Sequence, residues 1–140
     1  RPPKSTLFPY TTLFRSITCN IPPGIKVNVD RDLMTSVFQN LLSNAIKYGS
    51  EGGEIQIGFS RQVDGMHKIN VFNEGPGFEP ETTNDLFTKF SRFHAESYDT
   101  KSGTGLGLFV TKKIIERHGG QIWAETEPGK WANFIFTLPK

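Results

Sequence analysis

A single cysteine, Cys19, leaves this 140-residue chain without any intrachain disulfide. With no second Cys and no paired His beside it, zinc-knuckle spacing is missing too. Nothing approaches the ~18 consecutive apolar residues of a membrane-spanning helix. No N-terminal stretch has the basic-then-apolar layout of a secretory signal. Acid is absent from the first sixteen residues, which hold Arg1, Lys4 and Arg15. The remainder therefore carries 13 basic against 14 acidic residues, although the whole chain sums to +2. The sequence pI near 8.8 is thus a property of the leader, and a nucleic-acid-binding reading is withdrawn. What remains is room for one compact domain, cytosolic or a soluble piece of something longer.

Residues 1–16 have Pro at positions 2, 3 and 9 and neither a helical nor an alternating period. The run TLFPYTTLFRS over residues 6–16 resembles one reading frame of a sequencing adapter. The expectation is a non-native leader with no function, replacing whatever natively preceded Ile17, and with poor order or opportunistic packing.

From Ile17 the pattern becomes regular. Ile17, Cys19 and Ile21 alternate, Pro22-Pro23-Gly24 breaks the run, and Ile25, Val27 and Val29 alternate again, which predicts a strand at each place. Asp30 is a good helix N-cap. The apolar positions 34, 37, 38, 41, 42 and 45 follow a 3.6 period, predicting a helix over residues 31–48 that ends at Gly49 and Gly52-Gly53. Strands are predicted around 55–59 and 69–71 with Asp64-Gly65 at their turn, then a short helical piece near 81–87. Residues 88–104 are polar and Gly-containing without a period, as in a long functional loop. A second amphipathic helix over 106–118, closed by Gly119-Gly120, precedes strands at 121–125 and 133–138. The hairpins at 55–71 and 121–138, each with no helix between its two strands, argue for a mixed, largely antiparallel sheet with helices on one face, an α/β two-layer sandwich, and against a doubly wound parallel sheet.

Three features carry chemistry. Asn40, Asn44 and Lys47 fall within roughly a 60° arc of the first helix. Asn costs about 0.65 kcal/mol relative to Ala inside a helix, so two of them one turn apart need a reason. One reason is a solvated polar face; another is a row of amide oxygens and an ammonium suited to a hard cation and its phosphates. Gly75-Pro76-Gly77 follows a strand ending at Asn73 and offers bare backbone to a flat ligand. Ser102-Gly103-Thr104-Gly105-Leu106-Gly107 runs into the second helix, where unpaired N–H groups favour an anion. It is no Walker loop, because no Gly-Lys-Ser/Thr follows, and it does not follow a strand as a dinucleotide fingerprint must.

In order, NLLSNAIKYG, NEGPGF, LFTKFSRF and SGTGLGL resemble the N box, first glycine box, phenylalanine box and second glycine box of sensor histidine kinases. The resemblance spans residues 17–140. It implies the catalytic ATP-binding domain of the GHKL superfamily, shared with gyrase, mismatch-repair ATPases and heat-shock chaperones, in a Bergerat-type sandwich with a flexible ATP lid at 88–104. It implies Mg²⁺ on Asn44, phosphates on Asn40 and Lys47, and adenine against Tyr48. It also implies backbone approach at Gly75 and Gly77, and a lid hinge and phosphate-binding helix start at Gly103, Thr104, Gly105, Leu106 and Gly107. Arg92 and Lys101 are candidate phosphate contacts, and Phe87, Phe90 and Phe93 are anchors of the lid.

The resemblance further implies transfer rather than hydrolysis. The hydrolytic relatives carry Glu at the position of Asn40, where a carboxylate can activate water; an amide cannot. The acceptor would be a histidine on a separate dimerisation domain, with a response regulator downstream. His67, His94 and His118 lack phosphoacceptor context and read as surface or loop histidines. The expected behaviour is slow turnover without autophosphorylation, no nucleic-acid partner, no direct membrane contact, and a cytoplasmic location even if the parent protein is membrane-anchored. A degenerate nucleotide-binding module and a GHKL serine kinase or ATPase are the alternatives. Asn73 is a departure, because the family pattern has Asp there to accept from the adenine amino group. The last glycine box, GKWANFIFTLP, is also indistinct, keeping Gly129 but lacking the usual small-polar sequence at Trp131-Ala132.

Overall fold

The computed structural model describes residues 16–88 and 107–140. In chain order these form β1 (Ile17–Cys19), α1 (Arg31–Tyr48), β2 (Ile55–Arg61), β3 (His67–Glu74), a 3₁₀ segment (Pro80–Asp85), α2 (Gly107–Arg117), β4 (Ile122–Glu127) and β5 (Trp131–Leu138). The five strands make one sheet in the order β1-β2-β3-β5-β4. Only β1 and β2 run parallel; the other three pairs are antiparallel.

Helix α1 begins where the sequence says it should. The Asp30 carboxylate accepts from the Leu33 N–H, closing one of the unpaired donors of the first turn. Met34, Val37, Leu41 and Ala45 form its buried stripe, with Phe38 and Leu42 packed at the margin. Helix α2 buries Leu108, Thr111, Ile114 and Ile115 and ends at Gly119, whose φ of +85° is the left-handed conformation that stops a helix cleanly.

Both helices press on one face of the sheet. Alternate strand residues meet them: Ile55 and Ile57, Ile69 and Val71, Ile122 and Ala124, Phe134 and Phe136. Phe136 is fully buried and receives the edge of Phe38 at 5.7 Å between centroids. Each such apolar side chain contributes about 1.5–3 kcal/mol by leaving water. The two-layer sandwich expected from the hairpins is the one observed.

Two local expectations differ. Residues 25–29 do not join the sheet. Their alternation is real, with Ile25, Val27 and Val29 half-buried and Lys26 and Asn28 exposed. Val27 and Val29 instead line a groove of about 570 Å³ with Met34, Phe38 and Leu42 of α1. One-sided burial against a helix leaves the same alternating signature as a strand, without the ladder. The histidines also differ. His67 opens β3 at 2% exposure, stacked near Phe59 at 5.3 Å. His118 is half-buried and bonded through both ring nitrogens. His94 lies outside the described residues.

Candidate functional site

Between α1, α2 and the sheet lies a cavity of about 20 Å³, room for about one water. Asn44 and Tyr48 of α1, Leu108 of α2, Asn73 of β3, Gly77 and Phe78 of the following loop, and Ala132 and Phe134 of β5 line it. A mostly apolar wall with a few placed amides is the composition of a small-molecule site. Asn44 and Asn73 are therefore brought together from separate elements, along with Tyr48 and Gly77.

Asn73 forms the floor. It faces Ile55 on one side and Ala132 on the other and is only 4% exposed. Its amide nitrogen donates to the Glu74 carbonyl at 3.3 Å, which leaves the amide oxygen as the acceptor of that side chain.

Asn40 sits one turn before Asn44. Its amide nitrogen donates to the Thr111 hydroxyl at 3.1 Å and to the Gly107 carbonyl at 3.3 Å. Thr111 itself donates to the Gly107 carbonyl at 2.8 Å. Asn40 thus ties α1 to the first turn of α2. Lys47 is half-buried and lies outside the cavity lining.

The first glycine loop is held by protein on both sides. A Cβ on Gly75 would come 2.9 Å from Gly49 Cα and 3.0 Å from the Tyr48 carbonyl oxygen. Gly77 has φ +65°, and its Cβ would meet the Trp131 carbonyl oxygen at 2.7 Å. The loop is stitched to the β4–β5 turn by Gly75 N–H to the Lys130 carbonyl (3.0 Å) and Gly129 N–H to the Pro76 carbonyl (2.7 Å). Thr126 Oγ1 accepts from Phe78 N–H at 3.2 Å and donates to the Trp131 carbonyl at 2.9 Å. These glycines were expected to let a ligand approach the backbone; close packing against α1 and β5 already requires them.

Phe87 is 7% exposed and meets Phe134 edge-on at 6.1 Å, an apolar anchor as read. Arg92, Lys101, Gly103, Thr104, Gly105 and Leu106, with Phe90 and Phe93, lie outside the described residues. Gly107 starts α2. The sequence reading missed the apolar walls Leu108, Phe78 and Phe134, and it missed Thr111. A β-branched hydroxyl inside an amphipathic helix at a core-facing position was the available signal for the latter.

An amide pair thus lines a cavity between a mixed sheet and its helices, beside a glycine loop. Residues 29–140 match the family described as "Histidine kinase-, DNA gyrase B-, and HSP90-like ATPase", and the chain belongs to it. The sandwich is thus the GHKL fold. The chain is 35% identical over 122 residues to sensor histidine kinase WalK of Bacillus subtilis (strain 168), covering 86% of this chain and 20% of that protein. It resembles full-length ShkA solved in complex with AMPPNP, at TM-score 0.77 and 25% identity over 89% of this chain and 25% of that one. It also resembles histidine kinase ThkA solved with response regulator protein TrrA, at TM-score 0.73 and 29% identity over 94% of this chain and 36% of that one. The chain spans a third or less of the curated relatives it matches.

Proposed function

We propose that this domain binds Mg-ATP over the Asn44–Asn73 cavity, which forms only one end of a larger nucleotide site, and presents the γ-phosphoryl group to a histidine on a separate dimerisation domain, in two-component signalling. The observation that carries the reading is the convergence of Asn44 and Asn73 on one cavity from a helix and a strand. ShkA's complex with an ATP analogue and ThkA's complex with a response regulator support nucleotide and partner.

In this reading the Asn73 amide oxygen accepts from the adenine amino group, and Tyr48 and Phe78 flank the base. Asn44 supplies one oxygen to Mg²⁺. No cluster of three His, Cys, Asp or Glu occurs among the described residues, so a cage made of protein alone is excluded there. A single amide oxygen fits Mg²⁺ all the same, since that ion keeps waters and substrate phosphates as its other ligands. The ion would neutralise triphosphate charge. Lys47, with Arg92, Lys101 and the Gly103–Gly107 run, would serve the phosphates.

Hydrolysis is disfavoured by Asn40. An amide accepts no proton near neutral pH, and its nitrogen is engaged with Thr111 and Gly107. No helix among the described residues is long and apolar enough to cross a membrane; a cytoplasmic site of action is part of the proposal. An external phosphoacceptor is part of the proposal: among the described residues His67 is buried and both ring nitrogens of His118 are bonded. The test is γ-labelled ATP with this chain alone and then with an added helical histidine domain from a kinase of this family. Label is expected on the added domain only; label on this chain, or none with the partner present, overturns the assignment.

A further inference from the structure

The helices cover one face of the sheet, and the other face has a composition unlike a merely solvated one. Strand register puts Phe72, Asn133 and Glu125 in one row across it, with Glu74, Trp131 and Glu127 in the next. Trp123 and Ile135 pair in a third row. Both tryptophans of the chain therefore stand on this face, and the Phe72 and Trp131 rings lie 5.9 Å apart at 37°. Each indole N–H is turned to a carboxylate, Trp123 to Glu125 at 3.4 Å and Trp131 to Glu127 at 3.2 Å. Glu54, paired through its backbone with Glu74, adds a fourth carboxylate. The cation nearest in sequence is Lys130, already bound to Glu127 at 3.3 Å; Lys68 lies four residues along β3 from Phe72.

We propose that this face, which no helix among the described residues covers, docks an arginine-rich amphipathic segment of a partner protein around Phe72, Trp123 and Trp131 with Glu74, Glu125 and Glu127. A guanidinium stacks on an aromatic ring while donating to flanking carboxylates, and half-buried rings edged by acids provide both at once. The same charges repel a phosphate backbone or an anionic membrane. Cationic chemistry on an apolar support is what the face complements, and it is independent of the nucleotide reading because the cavity lies on the opposite side of the sheet.

Tryptophan fluorescence reports on this face alone, since the chain has no other tryptophan. Titration with a synthetic amphipathic peptide of Arg, Leu and Ala should give a saturable change in emission. The affinity should fall about tenfold, which is 1.4 kcal/mol, in the Glu125→Gln/Glu127→Gln double variant. It should fall again in 0.5 M salt, where the screening length is only a few ångströms. Phe72→Thr keeps a strand-forming residue and should weaken binding several-fold, with circular dichroism confirming an intact fold. No saturable change, an equal response to the peptide with Glu in place of Arg, or unaltered affinity in the double variant overturns the proposal.

Discussion

The Thr111 hydroxyl takes one hydrogen bond from the Asn40 amide at 3.1 Å and gives one to the Gly107 carbonyl at 2.8 Å. Thr111 is wholly buried, and this chain of bonds links the polar side of α1 to the start of α2. Thr111→Val keeps the shape and deletes the hydroxyl. The expected loss is about 1 kcal/mol of stability, seen as a lower urea midpoint at constant slope. Thr111→Ser should restore most of it.

Asn44→Ala tests the metal reading. ATP affinity in magnesium should drop by about tenfold or more, about 1.4 kcal/mol, to the level measured in EDTA. Affinity without the metal should barely move. Equal losses in both conditions would mean that Asn44 touches nucleotide rather than ion.

Asn73→Asp sets binding against folding. A charge-assisted acceptor is roughly twice as strong as a neutral one, so ATP should bind about 1 kcal/mol tighter and GTP should be rejected more firmly. The free protein should lose stability, because position 73 is 4% exposed and a buried carboxylate without a cation is costly. Calorimetric titration with both nucleotides and urea unfolding check the two halves. Unchanged affinity and an unchanged ATP:GTP ratio would remove Asn73 from base recognition.

Gly77→Ala forces a Cβ onto the Trp131 carbonyl at a φ of +65°. Strain of this kind costs roughly 1–3 kcal/mol, and the thermal midpoint should fall accordingly. Gly129→Ala has a positive φ but open space around its Cβ and should cost less.

The sequence made α1 legible because its signals agree: a capping Asp30, a 3.6 period, and amides where propensity disfavours them. The sheet was legible from hairpin spacing, and the meeting of Asn44 with Asn73 followed from the order of the boxes. What stayed hidden depends on contacts distant in sequence. Gly75 and Gly77 have the same local signature whether a ligand or a neighbouring strand needs the space, and only the β4–β5 turn reveals the second. Val27 and Val29 alternate as strand residues do, although a helix covers them. His67 read as a loop residue because the β2–β3 ladder reaches outward to pair Arg61 with His67, two positions past the apolar run. The tie of Asn40 to Thr111 joins residues 71 positions apart, which no local pattern shows.

Helix α2 is tied to α1 at two places among the described residues. At the far end the His118 ring donates from Nδ1 to the Ile114 carbonyl at 2.8 Å and accepts the Asp30 N–H on Nε2 at 3.0 Å. That pairing fixes the ring through both nitrogens and pins the helix to the root of α1. At the near end its link to α1 is the Asn40 amide, at 3.1 and 3.3 Å. An eleven-residue helix is a lever of about 16 Å. The two ties lie nearly that far apart along it, so the loss of either would leave α2 held to α1 by a hydrogen bond at one point instead of two.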